Sequence, residues 1–148
     1  LTDKKIAIVP TRSVMQAISA LIAFDADGEL LTVVNSMENE MQKVGYAEVT
    51  YAVRHSNVNG LDINEGDIIG IVNGKISAQG SAVDNVVIES LEQMQAQNSE
   101  LITLFYGADI NENEALQMKG KIMGKYPDSE VEMHYGGQPH YSYLLSVE

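Results

Sequence analysis

The tightest constraint on this chain lies near its end, where "YGGQP" (Tyr135–Pro139) separates two strand-like runs, "EVEMHY" and "HYSYLLSVE". A parallel crossover needs a dozen or more residues, usually including a helix, and a link this short cannot supply one. The two runs are therefore expected as antiparallel neighbours. Gly136 and Gly137 offer the positive backbone angles of a turn, and Pro139 withdraws a donor from pairing. Tyr141 and Tyr143 share a face with Leu145 and Val147, as core if buried and as interface anchors if exposed.

The stretch before this pair alternates strands and helices. "LITLFYG" (Leu101–Gly107) reads as a strand, and "NENEALQMKGKIMGKY" as a helix capped by Asp109 or Asn111. Asn73-Gly74 in "IIGIVNGKIS" suits the type I′ turn whose twist matches a hairpin. A helix should follow from Ser81, capped by Ser81 with Asp84, turning Val83, Val86, Val87, Leu91 and Met94 inward. "YAEVTYAVR" alternates as a strand from Tyr46, the segment Asn57–Gly60 turns the chain, and Gly66 marks a second tight turn. Nearer the start, Lys4–Pro10 reads as a short buried strand. Ser13 and Gln16 open a helix with Val14, Ile18, Leu21 and Ile22 on its inner face. A second helix runs Thr32–Lys43 with Val34, Met37, Met41 and Val44 in one stripe, ended by Gly45 as a left-handed cap. Such alternation defines an α/β layered fold, with an α+β character in its second part.

The balance of charge narrows the function classes. A chain of 148 residues with a net charge of −12 repels phosphate backbones and anionic headgroups, so nucleic acid and membrane-surface binding are excluded as main roles. No apolar run is long enough to span a bilayer. Zero cysteines remove disulfide and thiol chemistry and suit a reducing cytoplasm. The chain opens on Leu1 and enters a strand almost at once, as a piece of a longer protein would.

Few residues invite chemistry. Glu132, His134 and His140 flank the terminal turn, and a carboxylate with two imidazoles is a zinc-type set; the plainer reading is exposed imidazoles beside a glycine turn. Thr11, Arg12 and Ser13 stand where a strand hands over to a helix amino end, a place that favours an anion or, more simply, a capped helix. Arg54 and His55 end a strand and suit an anion, a partner's acidic patch or a surface ion pair. Gln138, Tyr141 and Tyr143 join these as candidate anion or partner contacts. "NEGDIIGIVNGKI" is superficially like a lipoyl-type hammerhead with Lys75 at its tip, but the flanking helices contradict an all-β sandwich. The phosphate-cradling glycine loops, the dinucleotide fingerprint and the serine elbow are all missing from the sequence, so no catalytic or cofactor-binding residue is assigned.

"IVPTRSVMQAISALIAFD", "EVTYAVRHS", "INEGDIIGIVNGKI", "LITLFYGAD" and "PDSEVEMHYGGQPHYSYLLSVE" together resemble the C-terminal region of fatty acid kinase A, of the dihydroxyacetone-kinase-like proteins, across nearly the whole chain. The resemblance implies a DegV-like layered sheet with helices. Residues 1–45 would close a first lobe and carry a linking helix, and residues 46–148 would form a second α/β lobe. It also implies an N-terminal domain of the dihydroxyacetone-kinase L type holding ATP and magnesium, outside this chain, and a DegV-family partner that presents a fatty acid for phosphorylation to an acyl phosphate. The expected role is a non-catalytic docking or regulatory domain, contacting that partner and other domains of its own chain, with a homodimer compatible. A DegV-like binder of a fatty acid or other small carboxylate, using Thr11, Arg12 and Arg54, is the alternative, and a metal-dependent hydrolase is the third. Where DegV-type lipid binders carry a His-containing Gly-Pro turn near the carboxylate, this chain has "YGGQPHYSY", a different chemical set that fits a kept fold without the pocket.

Overall fold

In the computed structural model, which describes residues 3–58 and 60–148, the chain separates at Val44/Gly45 into two units. The first holds helices α1 (Val14–Ile22) and α2 (Leu30–Lys43). Ser13 caps α1 as its sequence predicts, its hydroxyl accepting the Gln16 amide at 3.1 Å. The helices meet where the Ser19 hydroxyl donates to the Glu40 carbonyl, and Met15, Ala20, Val33 and Met41 are buried.

Two expectations for this unit fail. Lys4–Pro10 pairs with no described strand, and Ile6 and Ile8 stay 79% and 81% exposed. A strand exists only against a partner edge, and its own unit supplies none. The stripe Val14, Ile18, Leu21 and Ile22 likewise faces solvent, while α1 buries Met15, Ser19 and Ala20 instead. Its periodicity marks an apolar face correctly, but the short helical unit places nothing over it. Nor does Gly45 act as a left-handed cap, since α2 ends at an extended Val44 and Gly45 begins the next strand.

The second unit, Gly45–Glu148, is built on β1 (Gly45–Tyr51), β4 (Ile68–Val72), β5 (Lys75–Gly80), β6 (Leu101–Tyr106), β7 (Glu130–Tyr135) and β8 (Tyr141–Val147), in the order β5-β4-β1-β8-β6-β7. A small hairpin of β2 (Ser56–Val58) and β3 (Leu61–Ile63) stands apart from that sheet; part of the expected Asn57–Gly60 turn, at position 59, lies outside the described residues. Asn73 (φ 47°) and Gly74 (φ 80°) make the predicted hairpin turn between β4 and β5. Helix α3 (Val83–Gln93) starts from Ala82 with no side-chain cap, so Ser81 does not cap it. Helix α4 (Glu112–Lys125) opens with a full capping box, Asn111 and Glu114 each accepting the other's backbone N–H at 3.0 Å.

One continuous core joins these parts. Ala47 and Val49 of β1, Ile102 and Leu104 of β6, and Leu145 and Val147 of β8 meet Val86, Val87 and Leu91 of α3 and Met118 and Ile122 of α4. At β4 the helix approaches closely enough that a Cβ on Gly70 would sit 2.3 Å from the Ser90 hydroxyl, which explains a glycine inside a central strand. A smaller cluster of Ala52, Ile63 and Ile69 seats the β2–β3 hairpin.

The last strand corrects the opening expectation in part. β8 runs opposite to β7, as the short link requires, but it is inserted between β6 and β1, with β6 standing between it and β7. β6 pairs with β7 in parallel through the α4 crossover and with β8 antiparallel. A link of five residues reaches a next-but-one strand as well as an adjacent one: about 16 Å of chain against roughly 10 Å across two strand spacings.

The turn before β4 carries a titratable lock. Asp67 accepts the Asn64 amide at 2.8 Å and the Gln79 side-chain amide at 2.7 Å, and these bonds hold its carboxyl below the ordinary range. A carboxylate with a lowered folded value stabilises above its unfolded value and ceases to as pH falls through the folded one. The denaturation-midpoint gap between the wild-type chain and Asp67→Asn should therefore be fully open above about pH 4 and close on further acidification, as a urea titration at several pH values would measure.

Candidate functional site

The link that carries β7 over to β8 is the most heavily tied loop in the second unit. The Tyr106 carbonyl at the end of β6 accepts the amides of both Gly136 (3.0 Å) and Gly137 (3.3 Å). Gln138 then folds back over the strand it crosses, its side-chain amide donating to the Phe105 carbonyl (3.0 Å) and the Tyr141 carbonyl (3.3 Å). Its own backbone carbonyl accepts from Ala108 at 3.1 Å, and Gly107 donates to Ser142 at 2.9 Å. The Thr50 hydroxyl holds the His140 carbonyl from the β1 side.

Sterics allow this path only with small residues. A Cβ on Gly107 would lie 2.1 Å from the Tyr141 carbonyl oxygen, and one on Gly136 would lie 2.0 Å from Gln138 Oε1. Gly137 is left-handed (φ 64°), and so is His140 (φ 71°), one of the non-glycine types that tolerates the region. The Ser142 hydroxyl donates to Asp109 Oδ2 at 2.8 Å, fixing the loop before α4.

The candidate residues scatter around this loop. His134 Nε2 lies 3.1 Å from Glu132 Oε2 on β7, both exposed, whereas His140 enters the network through its backbone. Among the described residues, no group of three His, Cys, Asp or Glu gathers to hold a metal, so Glu132, His134 and His140 do not form the zinc-type set. Gln138 is committed to the loop rather than to a ligand. Tyr141 is half-buried and Tyr143 is 1% exposed, which makes Tyr143 core and not a surface anchor. In the first unit, the Arg12 backbone N–H donates to Gln16 Oε1 (2.9 Å), the Thr11 N–H donates to the Val9 carbonyl (2.9 Å), and Ser13 caps α1. Arg54 and His55 lie in an exposed bend beyond β1, with His55 3.6 Å from Asp62 Oδ1.

Sequence reasoning misses Gly107, Thr50, Asp109 and Ser142 as loop supports. Of the two residues offered as the α4 cap, Asn111 takes the place and leaves Asp109 to the loop. The accessible signal is a glycine directly after a strand, which marks a close backbone approach. What remains exposed at the sheet's end is the β7 edge, where Phe105 meets His134 and Tyr106 meets Tyr135, each with ring centroids 5.3 Å apart. Tyr135 is 66% exposed despite that contact.

Comparison with known proteins adds three findings. A family described as the C-terminal domain of FakA-like proteins, relatives of the A-type subunit of fatty acid kinase, matches residues 1–148. Protein YloV of Bacillus subtilis (strain 168) is 35% identical over 148 residues, and an uncharacterized protein of Staphylococcus aureus (strain USA300) is 36% identical over the same length. Both matches cover the whole of this chain and 27% of the relative, so the chain spans about a quarter of the length of these curated proteins. Among solved structures, a DegV family protein from Thermus thermophilus, described for its fatty acid binding, aligns with a TM-score of 0.54 at 9% identity, over 90% of this chain and 56% of that one. The fold is thus DegV-like, as expected.

If the crossing loop is held as described, Gln138→Ala should cost about 1–3 kcal/mol by removing two hydrogen bonds. It should also speed amide exchange at Ala108. Gly107→Ala should destabilise by a similar ~1–3 kcal/mol through overpacking against backbone, while Gly120→Ala, in open space on α4, should be neutral or stabilise by up to about 1 kcal/mol. Urea denaturation with hydrogen exchange checks all three.

Proposed function

Because the chain belongs to the FakA-like C-terminal family, we propose that it is the non-catalytic docking and regulatory domain of a kinase that phosphorylates fatty acids presented by a DegV-type partner. ATP and magnesium would be held elsewhere in the longer protein, in keeping with a sequence that has no glycine loop for phosphates. The observation that carries the docking role is the β7 edge. β7 is the outermost strand on its side of the sheet, it presents exposed Glu132, His134 and Tyr135, and a loop with little freedom to move lies beside it. A rigid edge with an exposed tyrosine offers contact area at little entropic cost.

The α1 stripe of Val14, Ile18, Leu21 and Ile22, exposed in the first unit, is the surface we assign to the remainder of the same polypeptide. The matched relatives carry most of their length outside this region, and a contiguous apolar face of this kind ordinarily marks an interface. No helix among the described residues is long and apolar enough to cross a membrane, so a lipid span does not account for it.

In the full-length protein, Tyr135→Ser combined with His134→Ser should weaken calorimetric binding to the fatty-acid-carrying partner by tenfold or more, about 1.4 kcal/mol or above. Nucleotide binding should be unchanged. An unaltered affinity would remove the β7 edge from the contact.

A further inference from the structure

Most of the large hydrophobic side chains left exposed among the described residues belong to the first unit, Leu1–Val44, although it is the smaller of the two. That unit buries little beyond Met15, Ala20, Val33, Met41 and Val44. A chain of roughly 40 residues seldom removes enough apolar surface from water to be stable alone. The first unit is therefore short of a covering layer, and its sequence indicates what kind.

Two exposed apolar sets follow one another along the chain. In Lys4–Pro10 the two-residue alternation of a strand would place Ile6 and Ile8 on one face, with Ala7 and Val9 on the other. Apolar residues on both faces are the mark of a strand covered from both sides, as in α/β sheets. Yet Ile6 and Ile8 are exposed, and Ile6, Ala7 and Ile8 make no backbone hydrogen bond to any described residue. Only Thr11, Arg12 and Ser13 separate this run from α1 and its open stripe of Val14, Ile18, Leu21 and Ile22. A link of that length is ordinary where a strand hands over to a helix, and the helix then lays its apolar stripe on the sheet.

We propose that Lys4–Pro10 is a strand of a second sheet, whose other strands come from the polypeptide ahead of this region in the longer protein, and that α1 lies across one face of that sheet. This rests on the assignment of the α1 stripe to the remainder of the polypeptide and deepens it; the β7 docking role is independent of it. One sheet accounts for both exposed sets, whereas a partner covering the helix alone leaves the strand-like run unpaired. The supply of chain is ample. The matched family is a C-terminal one, and the match covers 27% of each of the two curated relatives, so most of such a polypeptide comes earlier. A second copy of this chain offers only another unpaired run, and two strands by themselves make a ribbon of marginal stability. An anionic membrane surface is disfavoured by the net charge of −12.

The test uses the full-length protein, as wild type for hydrogen exchange and with a photo-reactive amino acid in place of Ile18 for cross-linking. An outer strand bonds through alternate residues and an inner one through all. The amides of Ile6 and Ile8, or of Ala7 and Val9, or of both sets, should therefore exchange about two orders of magnitude more slowly than an unstructured chain, or slower still. In an irradiated mixture of light and isotopically heavy protein, the probe should link to peptides ahead of this region and within one isotopic species. Those links together with unprotected amides in both sets would overturn the strand and leave the α1 assignment standing. Links between the two species would put a second copy on the stripe and overturn both. So would links confined to Gly45–Glu148, or none at all. The exchange measurement needs no variant, so it decides the strand even if the protein carrying the probe fails to fold.

Discussion

The second unit depends on one crossing. Between β7 and β8 the chain passes over the end of β6 without a helix and without slack, so β8 can pair on both sides in the middle of the sheet. That position makes β8 the strand on which the core is centred, with Leu145 and Val147 fully or almost fully enclosed beneath both helices. Gln138 makes the crossing energetically acceptable. Its side-chain amide donates to the Phe105 and Tyr141 carbonyls and so ties the loop to the strand it crosses. The glycines at 107 and 136 provide the clearance, and Gly137 provides the bend.

Charge is arranged to support this packing at the rim. α3 and α4 are bridged by two ion pairs, Lys121 with Asp84 and Lys125 with Glu92, all partly exposed. Pairs of that kind contribute little individually. Their placement still matters, because they tie α3, at both Asp84 and Glu92, to the carboxyl half of α4. A surface as negative as this one leaves few cations to spare, and these two lysines are spent on aligning the helices that roof the core.

Legibility followed the range of the interactions. The Ser13 cap and the Asn73-Gly74 turn are decided within about four residues and the sequence shows both, with Asn111 as one of two candidate caps for α4; Ser81 and Gly45, equally local signals, misled because the chain enters α3 from Ala82 and leaves α2 directly into β1. The position of β8 is decided by pairings across the sheet, and link length bounds it without selecting a neighbour: five residues fit either arrangement. α1 failed in the opposite sense, since its stripe at Val14, Ile18, Leu21 and Ile22 is plain in the sequence, yet a pattern states only which face prefers burial. Whether anything lies against that face is not encoded in the helix itself. The candidate histidines misled for a related reason, because proximity along a short link suggested proximity of side chains, while His140 turns left-handed and joins through its carbonyl.

The crossing loop and the turn before α4 share a support. Ser142 is fully buried, its carbonyl accepts from Gly107 and its hydroxyl donates to Asp109. Asp109 therefore anchors the segment that leads into β8, and Tyr143, the residue after Ser142, is core. Asp109 Oδ1 faces Gly107, where a Cβ would lie 3.0 Å from it, so one carboxylate braces both Gly107 and Ser142, and β7 is joined to the crossing through Tyr135 and Gly136. A fold shared at 9% identity with a DegV family protein described for its fatty acid binding fixes where strands and helices stand, and function has to be argued from the side chains they carry.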